Sequence, residues 1–143
     1  AIAKTFLVSC DNAHALHPNH AEKTDAVNFV TMNGGIVIKE SANQKYTTDA
    51  FSRALFTGVC QNVNVPVQSF ANRSDVVGGS TLGNLSNTQV SVHAVDFGLA
   101  QLAMHSCFET AGVKDTEYAI VALKEFYETN VQIEEAESVC LEK

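Results

Sequence analysis

Basic residues are scarce in this sequence: nine Lys and Arg stand against sixteen Asp and Glu, for a formal net charge of -7. Phosphate binding needs a basic face, so nucleic acid is not expected as a partner. No apolar run approaches the roughly 20 residues that span a bilayer, and no membrane segment is expected. The first residues lack a charged n-region followed by a long apolar h-region, so no secretory signal is read. The four cysteines, Cys10, Cys60, Cys107 and Cys140, form no Cys-x-x-Cys pair, which removes zinc-ribbon and thioredoxin-like readings. They read as reduced, mostly buried thiols of a cytoplasmic protein. Without a secretory context the Asn-x-Ser sequons at Asn72 and Asn84 read as accidental. Internal repeats, low-complexity tracts and linkers are missing as well. So is an initiating methionine: the chain opens Ala1-Ile2-Ala3-Lys4 and enters an apolar run almost at once. A natural terminus rarely begins inside a buried strand, so this one is expected to be cut from something larger.

What is present fits one domain. The chain has 143 residues, 45% of them hydrophobic, enough for a core. Thr5 to Cys10 reads as a buried strand that ends at Asp11. Residues 12–34 are a long polar excursion, and such loops in compact domains are usually functional. Gly35 to Lys39 is β-branched and reads as a strand. Thr47 or Thr48 can cap a helix running to about Asn62, with Phe51, Leu55 and Val59 on its apolar stripe. Val67 to Phe70 fits another strand. Gly78 to Gly83 resembles a glycine-rich turn into a helix N-terminus. Val90 to Val95 reads as a strand closed by Asp96-Phe97-Gly98. A loop with a short helix is expected around Met104-His105-Ser106. A last helix is expected from a cap at Asp115 to about Asn130, followed by an acidic tail (Glu134, Glu135, Glu137) that frays or caps it. Strands alternating with helices favour an α/β sandwich, whose chemistry gathers at strand ends.

The densest chemistry is Ser9-Cys10-Asp11-Asn12-Ala13-His14-Ala15-Leu16-His17-Pro18-Asn19. A carboxylate at a strand end with imidazoles nearby is donor chemistry for zinc or manganese. His14, His17 and His20 do not read as three ligands of one ion, since Pro18 breaks any shared helical face. His20 reads as a solvated loop residue and His93 as structural. Taken alone, Lys39 is a surface lysine and Tyr46 a half-buried tyrosine. The Gly78–Gly83 turn could cradle an anion. It lacks the lysine of a phosphate loop, so ATP is not expected. Neither Cys10 near His14 nor Cys107 near His105 carries the motif of a thiol hydrolase.

Four ordered segments carry a more specific signal. They are Ser9-x-Asp11-x-Ala13-His14-Ala15-x-His17-Pro18-Asn19; Gly35-Ile36-Val37-Ile38-Lys39 with Asn43 to Thr48; Asn72-Arg73-Ser74-Asp75 leading into Gly79 to Gly83; and Asp96 to Ser106. Together they resemble the aspartyl aminopeptidase family, which includes the vacuolar-type aminopeptidase. The likeness runs over residues 9–106 and more weakly into the last helix.

The resemblance implies an α/β/α sandwich of the di-zinc exopeptidase type, here only its C-terminal portion. Residues 1–143 would be the C-terminal part of the catalytic domain, with the N-terminal part and a β-rich dimerisation domain elsewhere. It implies two zinc ions per complete site, with manganese or cobalt as alternatives. By segment match, Asp11 corresponds to a terminal ligand of one metal and His105 to a terminal ligand of the other. His14, Lys39 and Tyr46 match the substrate pocket, and Lys39 suits an acidic substrate group. His17, Gly79, Ser80 and Thr81 match supporting positions. The remaining ligands and the glutamate base correspond to sequence before residue 1, so the chain alone is expected to be inactive. Peptide substrates, the missing N-terminal part or a companion chain, and copies of the same subunit are the expected partners. The competing expectation is a non-catalytic assembly or interaction module derived from such an enzyme.

Overall fold

The computed structural model describes residues 2–135 and 138–142. Nine strands and three α-helices are described: β1 (Phe6–Cys10), β2 (Ala13–His14), β3 (Ile36–Lys39), α1 (Ala50–Asn62), β4 (Val67–Phe70), α2 (Leu82–Gln89), β5 (His93–Gly98), β6 (Ala100–Leu102), β7 (Thr110–Ala111), α3 (Val113–Glu128), β8 (Asn130–Glu135) and β9 (Ser138–Glu142). The main sheet runs β1-β5-β3-β4. β1 is parallel to β5, with Ser9 beside Asp96. β3 is antiparallel to β5 and parallel to β4. β2 and β6 continue the β1–β5 pair as a second small sheet with β7.

Strand alternation divides the residues between two faces. Val95, Phe97, Ile36 and Ile38 meet Phe56 and Cys60 of α1 and Ala122 of α3 in one cluster. The Phe56 and Phe97 rings lie 4.8 Å apart, and burying such a side chain contributes about 1.5–3 kcal/mol. On the opposite face, Ser9 and Asp96 touch Gly83 of α2. Helices therefore cover both faces, as an α/β/α sandwich requires. A second cluster, with Ala13, Ala15, Val37, Tyr46 and Phe70, fills the corner between the main sheet and the long loop.

Local chemistry sets the helix starts. Asp49, rather than Thr47 or Thr48, caps α1, forming a reciprocal capping box with Ser52. Thr81 caps α2 through its hydroxyl, as the turn before it implies. Asp115 is not a cap: α3 already begins at Val113 after Gly112.

Three further expectations need correction. Asp96, Phe97 and Gly98 do not close β5; they are its buried second half, and Val90 instead ends α2. No helix forms at Met104–Ser106, where Ala103 and His105 take left-handed φ of 56° and 68°. The acidic tail becomes the β8–β9 hairpin, with Glu137 outside the described residues. Its Val131, Ile133, Val139 and Leu141 alternate with polar residues, a period-two pattern masked by charge. The cysteines also differ from expectation. All four are free thiols, but only Cys60 is buried. Cys10 ends an edge strand, Cys107 sits in a loop, and Cys140 alternates with the inward residues of β9.

Candidate functional site

Asp11 follows β1 directly, where the chain leaves the main sheet for the smaller one. Its backbone N–H donates to the Phe97 carbonyl at 2.8 Å, and Ala13 and Ala15 continue the ladder to Leu99 and Gln101 at 2.9 and 2.8 Å. Gly98 makes this crossing feasible. A Cβ there would stand 2.1 Å from the Asp11 carbonyl oxygen.

Lys39 ends β3 across from the same point. Its ammonium donates to Asp11 Oδ2 at 2.7 Å and to the Asn12 carbonyl at 3.2 Å. It also lies 4.8 Å from the centre of the Tyr46 ring. The Lys39 side chain is 3% exposed and that of Asp11 50%. Lys39 is therefore no surface lysine: β3 carries it into the interior, and a carboxylate, a carbonyl and an aromatic face replace its water.

Tyr46 is buried as well. The Asn72 amide donates to its hydroxyl at 2.9 Å, and its ring lies 6.4 Å from Phe70. Burial pushes its phenol pKa above the ordinary value. The Asn72 bond pulls it back, and the Asp11 and Asp96 carboxylates push it up again. Asp11, Lys39, Tyr46 and Asn72 thus converge from four segments of the chain.

Asp96 supports this group from below. It is fully buried; its Oδ2 accepts the Thr47 N–H at 2.6 Å and the Thr47 hydroxyl at 2.8 Å. Among the described residues its Oδ1 has no hydrogen-bond partner, and it lies against Gly83. Holding Thr47 fixes its neighbour Tyr46. From the sequence alone Asp96 reads as a strand terminator. The available signal was a carboxylate inside the run Ala94-Val95-Asp96-Phe97, where only a functional or fully bonded acid is tolerated.

A cavity of about 550 Å³ opens beside these residues, lined by His14, His17, His20, Phe70, Asn72 and Arg73 among others. Lys39 and Tyr46 are not among its lining residues; they stand behind Phe70 and Asn72. His17 Nδ1 accepts the Asn19 N–H at 3.1 Å, which ties its ring to the Pro18 turn. His20 is exposed, as expected for a loop residue, and its Nδ1 meets Glu22 at 3.1 Å. Arg73 bonds the Glu22 carbonyl and clasps Asp75 at 2.6 and 2.9 Å. His93 stacks on Phe51, with ring centres 4.5 Å apart, in keeping with a structural role.

His105 is exposed in the loop after β6, its backbone N–H donating to Glu109 Oε1 at 2.6 Å. Thr81 is buried as the cap of α2, whereas Gly79 and Ser80 are exposed. Among the described residues, no three His, Cys, Asp or Glu side chains converge as a metal site. Asp11 and His105 nevertheless have the donor chemistry of a partial one. Within the described residues the Asp11 carboxylate is engaged through Oδ2 alone, and the His105 contact uses its backbone rather than its ring.

An α/β/α sandwich with a carboxylate, a buried lysine and histidines gathered at a strand end places its polar groups where ligands bind in open α/β sheets. Comparison with known proteins makes this specific. The Aminopeptidase I zinc metalloprotease (M18) family matches residues 1–127. The chain belongs to that family. It is 47% identical over 127 residues to a probable M18 family aminopeptidase 2 of Clostridium novyi, covering 89% of this chain and 29% of that protein. It is 44% identical over 128 residues to a probable aspartyl aminopeptidase of Ricinus communis, covering 90% of this chain and 26% of that protein. Among solved structures, a chain of the Ape4 and Nbr1 complex superposes with TM-score 0.87 at 42% identity, over 89% of this chain and 24% of that one. The S. cerevisiae mApe1 dodecamer gives TM-score 0.78 at 27% identity, over 89% and 27%. The chain therefore spans less than a third of the length of these relatives. The β8–β9 hairpin lies beyond the family match.

Proposed function

We propose that residues 1–143 form the C-terminal part of the catalytic domain of a zinc aminopeptidase that removes N-terminal residues from peptides. The observation that carries this is the convergence of Asp11, Lys39, Tyr46 and Asn72 at the end of β1, beside a cavity walled by His14 and His17, in a chain of the M18 family. Asp11 supplies one carboxylate to one metal and His105 one imidazole to the other. Two zinc ions, when bound, would supply Lewis-acid polarisation of the scissile carbonyl and an activated water. The remaining ligands and the glutamate base come from polypeptide outside this chain. The interaction-module alternative gains nothing from the comparisons, whose relatives are named aminopeptidases.

Within this chain the roles divide by depth. His14 faces the cavity from β2 and contacts bound peptide. His17 holds its ring against the Pro18 turn and shapes the same wall. Tyr46 and Asn72 form the layer behind it, and Thr81 fixes the start of α2. Preference for an acidic N-terminal residue is assigned to Lys39, which meets a substrate carboxylate only when Asp11 shares it. Oligomerisation of whole subunits follows the dodecamer seen for mApe1, and a cytoplasmic site of action is proposed with it. No described helix is long and apolar enough to cross a membrane.

The test is zinc content and hydrolysis of aspartyl and leucyl peptides by the complete enzyme. About two zinc ions per subunit are expected, with severe loss of kcat in Asp11→Asn and His105→Gln. Full hydrolysis by metal-free enzyme, or by either variant, overturns the reading. An unchanged acidic preference in Lys39→Ala removes Lys39 from specificity.

A further inference from the structure

Resting on the reading of Tyr46 as part of the substrate pocket, we propose that Asn84 and Asp96 are positioning residues for Tyr46: they fix the Gln44–Thr48 segment from its two ends and so hold the aromatic ring against the Lys39 ammonium.

The glycine-rich turn into α2 supplies the first anchor. Its donors at Gly83 and Asn84 are spent within the chain rather than on a ligand. The Gly83 N–H donates to Ser9 Oγ at 3.1 Å, and the Asn84 N–H to Thr81 Oγ1 at 3.4 Å. Gly83 lets α2 sit directly on the sheet, since a Cβ there would stand 2.9 Å from Ser9 Cβ and 3.0 Å from Asp96 Oδ1. Gly78 backs the Asn72–Tyr46 bond in the same way: a Cβ there would press on the Asn72 amide and lie 3.6 Å from the Tyr46 hydroxyl. With its backbone fixed, Asn84 reaches across to another segment, and its Nδ2 donates to the Gln44 carbonyl at 2.8 Å. Gln44 takes a left-handed φ of 59°, and its N–H closes a turn onto the Ser41 carbonyl at 3.0 Å. The Asn84 bond thus secures a backbone conformation that L side chains seldom adopt.

Asp96 is the second anchor. Its Oδ2 takes both Thr47 donors, and its backbone N–H donates to the Thr48 hydroxyl at 2.9 Å. β5 lies between β1 and β3, so this end of the segment is tied to the middle of the main sheet. Bonds to a carboxylate are stronger than bonds to a neutral acceptor, which offsets the cost of burying Asp96. Only Lys45 and Tyr46 stand between the two anchors. Asn72 holds the Tyr46 hydroxyl, but one bond at the tip of the ring leaves its stem free to tilt. The anchors at Gln44 and Thr47 fix the stem. The ring then faces the Lys39 ammonium with its centre 4.8 Å away. That attraction needs the cation over the ring face within about 6 Å, so little displacement of Tyr46 is tolerated.

The experiment uses the complete enzyme and the better-cleaved of an aspartyl and a leucyl peptide. It measures kcat, KM and melting temperature for Asn84→Asp, Asp96→Asn and Asp96→Ala, each with Tyr46 retained and with Tyr46→Leu. Asn84→Asp keeps the shape and puts an acid in the first turn of α2, which favours the helix, yet it turns an acceptor toward the Gln44 carbonyl. Its melting temperature is expected to hold while kcat/KM falls about fivefold, the worth of one hydrogen bond. A merely structural Asn84 predicts activity that follows melting temperature, and that result overturns its role. Asp96→Asn keeps an acceptor for Thr47 and is expected to retain most of the activity that Asp96→Ala loses. In the Tyr46→Leu background the Asn84→Asp and Asp96→Ala losses are expected to shrink to about twofold or less, because the side chain they position is gone. If Asp96→Ala does not fold, Asn84→Asp decides alone. Losses that carry over undiminished onto Tyr46→Leu overturn the proposal and leave the aminopeptidase reading intact. A Tyr46→Leu enzyme with the kcat/KM of the unsubstituted protein overturns both the proposal and the place of Tyr46 in the pocket.

Discussion

The carboxylate of Asp115 accepts the backbone N–H of Asn33 at 2.6 Å and that of Gly35 at 2.9 Å. One buried side chain on α3 therefore holds the end of the long loop 12–34, about eighty positions earlier in the chain. Asn33 turns with a left-handed φ of 63° and Gly35 with a φ of 109°, where a Cβ would stand 2.2 Å from the Pro66 carbonyl oxygen. The loop enters β3 through this clamp, and β3 delivers Lys39.

Asp115→Ala is expected to cost about 2–3 kcal/mol, because one buried and one partly buried N–H group lose their carboxylate acceptor. Asp115→Asn, which keeps one acceptor oxygen, should cost less. Hydrogen exchange reads the clamp directly. The Asn33 and Gly35 amides should lose protection in Asp115→Ala, while amides of α1 keep theirs. Equal protection in both proteins would show that the loop is held by something else.

Much of this fold was legible from period and punctuation. β1, β3, α1 and β4 follow from apolar spacing within two or three residues of their ends. Lys39 and Tyr46 stand out only through the family resemblance, since each alone is an ordinary residue, whereas Asp11 already stands out as a strand-end carboxylate with imidazoles nearby. What stayed hidden depends on partners distant in sequence. Asp115 reads as a cap because an acid near a helix start usually is one; its true partners lie in a loop across the molecule. Asp96 reads as a strand end because buried acids are rare, and the Thr47 bonds that permit its burial cannot be seen locally. The β8–β9 hairpin was hidden by its glutamates, although its apolar residues alternate with the period of a strand.

Cys60 supplies a pH prediction. Burial alone pushes its thiol from 9.0 up to about 12. A raised value in the folded state means that the unfolded chain loses its proton first as pH rises. The contribution is fully present below pH 9 and is lost as pH climbs through about 12. Stability against urea should therefore fall across that window. Cys60→Ala should be weaker at neutral pH, because of the cavity, but flatter above pH 9. In the native protein, alkylating reagents should reach Cys107 and Cys140, which are exposed, and spare Cys60 until urea is added. Native labelling of Cys60 at the rate of the exposed thiols would contradict the packing described for α1.

Gly98 is the backbone hinge of the proposed metal ligand. A Cβ at this position meets the Asp11 carbonyl oxygen at 2.1 Å and the Asn12 Cα at 2.7 Å. Both are backbone atoms and neither can rotate aside. Gly98→Ala is expected to move Asp11 and to weaken the complete enzyme's zinc binding at one site. Gly79→Ala serves as the control, since a Cβ there meets nothing within 4 Å. Measured zinc stoichiometry should drop for Gly98→Ala alone. Equal stoichiometry in the two variants would mean that the β1–β5 crossing relaxes without disturbing Asp11.

Tyr46 offers two separable interactions. Its hydroxyl accepts from Asn72, and its ring faces the Lys39 ammonium. Tyr46→Phe removes the first and keeps the second; about 1 kcal/mol is expected, a fall of roughly fivefold in kcat/KM if the whole loss reaches the transition state. Tyr46→Leu removes both. The further loss should be about 1–2 kcal/mol, because the cation is desolvated. Asn72→Ala in the Tyr46→Phe background should then add little, as the bond is already gone. Measured kcat/KM values for the four proteins decide it. If Tyr46→Leu behaves like Tyr46→Phe, the ring contributes only bulk, and Lys39 must be held by Asp11 and the Asn12 carbonyl without help from the aromatic face.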